Sequence, residues 1–231
     1  MQKILMALLV WVISTGALAS PAALLVYQVW EQGAEPYVSR IMVTPDYVRL
    51  DEGDDAGGYT LFDRRQEILY NVSMDDRSVL VMNPTAPVPE DNQALILQEQ
   101  VKPDEQAPRV AGQQPQDVKL YANGELCSEL VVVEGVMQEA VDGLAELKLV
   151  LARIQAATLD AMPLETRTPC DMAGNLYAPD RSLRFGLPLQ ERSEGRSQSL
   201  VDFSPDRELP DVLFTLPEQF SRRPMFAPGE G

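Results

Sequence analysis

Cys127 and Cys170 are the two residues whose chemistry the sequence defines best. They are the only cysteines in the 231-residue chain, and they do not form a CxxC motif. An even number of widely separated cysteines in an exported protein is typical of a structural disulfide. We therefore predict one Cys127–Cys170 disulfide and no metal site. In the chain-entropy model, closing a loop of this length stabilises the folded state by about 4 kcal/mol.

Histidine is absent from the chain, which limits its chemistry further. Ser–His–Asp catalysis, Cys–His catalysis, His-ligated zinc and a simple pH switch near neutrality all need that side chain. Paired carboxylates could still act as acid and base, but no spacing singles out a pair. The acidic stretch 51–55 does not fit the EF-hand ligand spacing, so we interpret it as a solvated turn. The sequence favours a non-enzymatic protein without a cofactor.

Residues 1–19 have the composition of a cleavable secretory signal. Lys3 precedes an apolar run over 4–15 that is too short to span a bilayer, and small residues lead up to Ala19. Cleavage after Ala19 would give a mature chain that begins at Ser20, with no cysteine there to carry a lipid anchor. We predict a periplasmic protein without stable membrane insertion. The net charge of −16 argues against nucleic acid and anionic lipid surfaces as partners.

Short strand-like runs separated by tight turns dominate the first part of the mature chain. Such spacing predicts an antiparallel meander, because parallel strands need long crossover connections. Val48 and Leu50 alternate with polar residues, which places both on one face of the sheet. The predicted strands are Leu24–Glu31, Tyr37–Val43, Tyr47–Asp51, Tyr59–Asp63, Glu67–Val72 and Ser78–Met82.

Residues 83–117 are rich in proline and polar side chains, which predicts an extended connecting segment with one strand, Ala94–Val101. Asn123-Gly124 then lies between two apolar-rich runs and predicts a two-residue type I′ hairpin, with Leu120 opposite Cys127.

Met137–Met162 has apolar residues at spacings of three and four, which predicts one long helix packed on the sheet and ended by Pro163. A Cys127–Cys170 bond would tie the segment after this helix to the hairpin strand before it. Further strands are predicted at 183–192, 199–203 and 212–216, and a flexible tail at 222–231.

Two stretches of the chain carry a likeness to a known family. The first is the strand series Val26–Trp30, Arg40–Val43, Tyr47–Leu50, Leu61–Asp63 and Ile68–Asn71, and the second is Gly186–Leu189 with Leu213–Pro217. The order of these elements resembles the LolA/LolB-like periplasmic lipoprotein carriers, in an uncharacterised proteobacterial branch. The resemblance implies a mainly β (α+β) fold: a curved, antiparallel, unclosed half-barrel with the helix packed on its concave face. It also implies a single domain over 20–221 that includes the connecting segment 83–117.

A curved sheet covered by a helix would make an apolar pocket. One hypothesis is therefore an exported, soluble, non-enzymatic binding protein that holds an apolar or lipid-like ligand between sheet and helix. The alternative is a periplasmic partner-binding module, an envelope sensor or assembly factor with a solid core. The candidate ligand-binding residues are Tyr27, Val29, Tyr47, Leu61, Phe62, Tyr70, Leu144, Leu151 and Ile154.

Overall fold

The computed structural model describes residues 19–84, 86–87, 95–159 and 167–225. Twelve strands form about half of this part of the chain, and the predicted signal segment lies outside it apart from Ala19. The strands are β1 (Ala19–Glu31), β2 (Tyr37–Val43), β3 (Tyr47–Asp51), β4 (Tyr59–Asp63), β5 (Ile68–Ser73), β6 (Ser78–Met82), β7 (Leu97–Pro103), β8 (Gln116–Ala122), β9 (Glu125–Val133), β10 (Leu187–Ser193), β11 (Arg196–Pro210) and β12 (Ser221–Pro224).

All twelve strands belong to one open sheet in the order β12-β6-β5-β4-β3-β2-β1-β11-β10-β9-β8-β7. Neighbouring strands are antiparallel except β12 and β6, which are parallel. The sheet does not close, because β12 and β7 lie at its two opposite edges. The prediction of a mainly β protein with an open, antiparallel sheet is confirmed.

The meander from β2 to β6 follows from the alternation visible in the sequence. Val48 and Leu50 both pack in the cluster on the helix side of the sheet, as predicted. Leu61 and Val72 pack in a second cluster. Because successive side chains on a strand point to opposite faces, these strands bury apolar residues on both faces of the sheet.

The hairpin between β8 and β9 has the predicted two-residue turn. Asn123 has φ 51° and Gly124 has φ 82°, as a type I′ turn requires. The predicted pairing of Leu120 with Cys127 is wrong. Leu120 lies opposite Ser128, because a β-bulge shifts the register between Leu120 and Tyr121. Cys127 is the additional residue of this bulge, a local feature that the sequence pattern does not reveal.

The C-terminal part of the chain differs from its predicted structure. The strand predicted at 212–216 is wrong, because a 3₁₀ turn forms over Asp211–Phe214. Leu213 and Phe214 cover apolar side chains of β2 to β6, on the face away from the main helix. The tail predicted at 222–231 begins within β12, which pairs with β6 and forms the edge of the sheet. Of the predicted tail, residues 226–231 lie outside the described part of the chain.

Helix α1 (Gln138–Ala157) has 20 residues and lies within the range predicted for a helix, Met137–Met162. It contacts β1, β2 and β3 on the helix side of the sheet. Gly143 permits this approach, since a Cβ atom at that position would lie 2.8 Å from Cγ1 of Val43 and 3.1 Å from Cγ2 of Val48. No helix in the described ranges is long and apolar enough to cross a membrane.

Gly143→Leu is expected to lower the free energy of unfolding by about 1 kcal/mol. Overpacking against buried, stiff valines costs roughly 1–3 kcal/mol, which exceeds the gain of about 1 kcal/mol in helix propensity. Asp142→Leu is the matched control, because the same side chain is added at an exposed neighbour. Urea unfolding of both variants measures the difference, and an equal effect would contradict the close packing of Gly143.

Candidate ligand-binding cleft

A cleft of about 620 Å³ lies between α1 and the sheet. Small-ligand sites in proteins have volumes of about 300–1,000 Å³. In the wall of the cleft, α1 contributes mainly apolar side chains, and β10 and β11 contribute polar ones. The wall includes Tyr27, Ser39, Ile41, Leu50, Leu144, Leu147, Lys148, Leu151, Ile154, Gln155, Asn175, Ser182, Leu183, Glu191, Arg196 and Gln198.

Arg64 holds α1 on the side of β2 and β3. Its Nε and Nη2 donate hydrogen bonds to the Glu146 carboxylate at 2.7 and 2.9 Å, and its Nη1 donates to the Thr44 carbonyl at 2.8 Å. A two-point contact of this kind fixes orientation as well as distance. Together with the close contact at Gly143, it fixes the helix over β2 and β3. The cleft reaches beyond these strands to β10 and β11.

Tyr27 forms part of the floor of the cleft. Its side chain is buried, and its hydroxyl donates a hydrogen bond to the Pro188 carbonyl at 2.8 Å. Burial, with a smaller contribution from the negative charge of Glu191, raises the pKa of Tyr27 well above its ordinary value. Tyr27 is therefore neutral at physiological pH, and its hydroxyl proton is already engaged.

The predicted Cys127–Cys170 disulfide is confirmed, with a Cα–Cα distance of 5.1 Å. It joins β9 to α2 (Pro169–Met172). Thr168 caps the N-terminus of α2, because its Oγ1 accepts a hydrogen bond from the Asp171 amide at 3.2 Å. A π-helical turn, Ala173–Tyr177, follows directly and contacts α1. The disulfide therefore positions the segment that supplies Asn175 to the cleft.

The structure divides the nine predicted ligand residues into three groups. Tyr27, Leu144, Leu151 and Ile154 line the cleft. Val29 and Phe62 belong to the core on the same side of the sheet, but they do not line the cleft. Tyr47, Leu61 and Tyr70 pack on the opposite face.

The opposite-face position of Leu61 follows from strand geometry. Leu61 and Phe62 are consecutive on β4, so their side chains cannot face the same cleft. The ring centroids of Tyr47 and Phe214 are 6.4 Å apart, and the two rings are stacked. The face away from α1 is thus covered by the turn Asp211–Phe214, in the region where the sequence pattern predicts a strand over 212–216.

Several cleft residues were missing from the sequence-based set. Ile41 and Leu50 could have been found from alternation on β2 and β3. Lys148 follows Leu144 by four residues on α1, a spacing that places both on one face. Glu191 and Arg196 carry no comparable signal, because only the pairing of β10 with β11 brings them to the cleft.

A second hollow, of about 680 Å³, is formed by strands β7 to β11 and the end of β1. Its charged side chains include Lys119 and Glu129, which alternate along their strands with the buried Val118 and Leu130. Lys119 and Glu129 form an ion pair at 2.6 Å across the two strands. This hollow has the character of a solvated sheet face, so the cleft beside α1 is the stronger candidate for an apolar ligand.

Arginine side chains bind the acidic stretch 51–55. Asp51 accepts hydrogen bonds from Arg40 Nε at 2.8 Å and from Arg49 Nε at 2.9 Å. Asp55 accepts one from Arg40 Nη2 at 2.5 Å. Two of these carboxylates therefore stabilise the fold at β2 and β3 through ion pairs.

Comparisons with known proteins identify no family for the chain. No family model matches the sequence, and no curated protein matches it significantly. An uncharacterised conserved protein from Thermus thermophilus is similar in structure, with a TM-score of 0.43 and 12% identity over 89% of this chain and 91% of that one. Two structures of PNGF-II have TM-scores of 0.41 and 0.39, with 11% and 12% identity over 91% and 89% of this chain. The chain spans only 32% of the length of PNGF-II, and likenesses at this level assign neither a family nor a function.

Proposed function

We propose that the chain is an exported, non-enzymatic binding protein that holds an apolar or lipid-like ligand between α1 and the sheet. In this proposal the sheet is a LolA/LolB-like half-barrel, and α1 lies on its concave face. The protein acts in the periplasm, where an oxidising environment maintains the Cys127–Cys170 bond. Cleavage after Ala19 would leave β1 intact from Ser20 onward.

The observation that carries the proposal is the apolar wall of the cleft. Leu144, Leu147 and Leu151 of α1 lie across from Tyr27 and Ile41 of the sheet. Leu151 is 42% exposed although it lies among apolar neighbours. Covering such side chains with a ligand chain is favourable by about 25 cal/mol for each Å² removed from water.

The residues of the cleft also favour binding over catalysis. Tyr27 is neutral and its hydroxyl donates to Pro188, so it is poorly suited to act as a base or nucleophile. The whole chain has no histidine to act as a general base near neutral pH. Shape and apolar contact can therefore hold a ligand in this cleft without a chemical step.

Leu151→Asp is expected to weaken binding of the neutral fluorescent probe N-phenylnaphthylamine by about 10-fold or more, because a charge would have to lose water when the probe enters. Val212→Asp is the matched control, because Val212 is 71% exposed and is not part of the cleft wall. Fluorescence titration measures both affinities.

Native mass spectrometry of protein prepared without detergent provides an independent check. An additional lipid-sized mass that is lost on denaturation would support the proposal. If the parent protein neither retains such a mass nor binds the probe, the proposal is wrong and the partner-binding alternative takes its place.

A further inference from the structure

A polar compartment of about 300 Å³ lies next to the apolar cleft, beside the disulfide. The two spaces are adjacent, because several residues contribute to both walls. The shared side chains include Lys148, Asn175, Ser182, Glu191 and Arg196. A ligand that occupied both spaces would therefore have an apolar part and a polar part.

Lys148 lies at the boundary between these spaces. Leu144 precedes it by four residues and Leu151 follows it by three, so the three side chains share one face of α1. All three line the apolar cleft, and of the three only Lys148 also lines the polar compartment. The stem of a lysine can pack against apolar neighbours while its ammonium group reaches a polar space.

The other cations of the two walls already have partners within the protein. Arg196 Nε is 2.9 Å from a carboxylate oxygen of Glu31. Nη1 and Nη2 of the buried Arg181 donate to the carbonyls of Tyr121 and Gln98 at 3.1 and 3.0 Å, and only its buried Nε has no hydrogen-bond partner among the described residues. Lys148 forms no ion pair within the described part of the chain.

Three carboxylates also line the polar compartment. Glu191 accepts a hydrogen bond from Gln198 Nε2 at 3.0 Å, and Asp171 accepts one from Thr168 Oγ1 at 2.6 Å. Glu194 is exposed at the turn between β10 and β11. Two of these carboxylates thus accept hydrogen bonds from neutral donors and neither pairs with Lys148, so the Lys148 ammonium can still donate to an anionic ligand.

We propose that the ligand of the cleft is a single-chain amphiphile whose anionic headgroup, a carboxylate or phosphate, binds the Lys148 ammonium. This inference rests on the proposed binding function and adds the chemical class of the ligand. The alkyl chain lies along Leu144, Leu147 and Leu151, and the headgroup points into the polar compartment.

The local charge at Lys148 differs from that of the whole protein. A net charge of −16 disfavours adsorption to an anionic membrane surface. A single anion inside the cleft experiences the adjacent ammonium more strongly, because charges in a partly buried site are screened less than charges on the surface. The protein would therefore bind isolated anionic amphiphiles without adhering to anionic bilayers.

The test is competition of dodecanoate and dodecanol against N-phenylnaphthylamine, in the parent protein and in Lys148→Gln. Dodecanoate is expected to bind the parent more tightly than dodecanol. Lys148→Gln is expected to weaken dodecanoate binding about 10-fold and to change dodecanol binding by less than about two-fold, because a charge-assisted hydrogen bond is lost and the apolar wall is retained. Lys102→Gln, an exposed lysine on β7 away from the cleft, is the matched control.

The outcomes separate this inference from the proposed function. Equal affinity for dodecanoate and dodecanol, or unchanged dodecanoate affinity in Lys148→Gln, would overturn the headgroup assignment while probe binding still supported an apolar site. If the parent protein does not bind the probe, both the headgroup assignment and the proposed binding function are wrong. Coincident urea unfolding curves for the parent and Lys148→Gln would show that weaker dodecanoate binding is not a folding defect.

Discussion

Replacing Cys127 and Cys170 together by serine is expected to lower the free energy of unfolding by about 4 kcal/mol. The bond spans a sequence separation of 43 residues and encloses the whole of α1. Without it, the unfolded chain gains the conformational freedom of an open loop. The connection from α1 to α2 then depends on packing alone. Chemical denaturation measures the change, which is large because the total stability of most domains is only about 5–15 kcal/mol.

The reductant response provides the control for the disulfide variant. Reducing the parent protein should cause the same loss as the double substitution, and the double variant should not respond to reductant. A parent and a variant with the same melting temperature would show that the bond does not stabilise this fold.

Asp51→Asn is expected to lower the free energy of unfolding by about 3–5 kcal/mol, the usual cost of removing one partner of a buried ion pair. Arg49 is 1% exposed, its Nη1 donates to the Leu213 carbonyl at 2.8 Å, and its guanidinium lies 3.8 Å from the Tyr59 ring centroid. Asp51 is the carboxylate that pairs with it, at 2.9 Å. Without that carboxylate, the positive charge of Arg49 would remain buried without compensation.

Asp55→Asn is the matched control for this substitution. Asp55 also accepts a hydrogen bond from Arg40, but its side chain is 64% exposed. The exposed pair should contribute no more than about 1 kcal/mol. The double variant Arg49→Met, Asp51→Asn should recover part of the loss, because it removes the buried charge as well as its partner. Equal effects of Asp51→Asn and Asp55→Asn would contradict this account.

The same ion pair predicts the direction of the pH dependence. Burial opposes ionisation of Asp51, but hydrogen bonds from Arg40, Arg49 and the Gly53 amide outweigh it and hold the pKa of that carboxyl below its usual value. A lowered folded-state pKa contributes stability that is fully present above the unfolded pKa of about 4. That contribution is lost as the pH falls through the folded-state pKa. The difference in stability between the parent and Asp51→Asn should therefore shrink in acid.

Local sequence patterns were sufficient for the elements whose partners are their neighbours in the chain. The bounds of β2, β3, β4 and β6 are the predicted ones, because short turns and two-residue alternation leave a meander few other arrangements. The Asn123-Gly124 turn was predictable because both positions need positive φ angles, which asparagine and glycine adopt readily. The disulfide pairing was predictable because the chain contains only two cysteines.

Alternation indicates which residues of a strand share a face, but only the tertiary structure decided which of the two faces lies under α1 and where the cleft lies. Tyr47, Leu61 and Tyr70 are as apolar and strand-like as Tyr27, yet the turn Asp211–Phe214 covers them from the other side. The cleft combines Leu144 of α1 with Arg196 of β11, a strand that pairs with β1 over its length. The composition and periodicity of this chain determined its class, its local strands and its disulfide, because those depend on neighbouring residues. Contacts between distant segments decide which face of the sheet α1 covers, where the bulge at Cys127 forms and where the binding cleft lies. No local pattern contains those contacts.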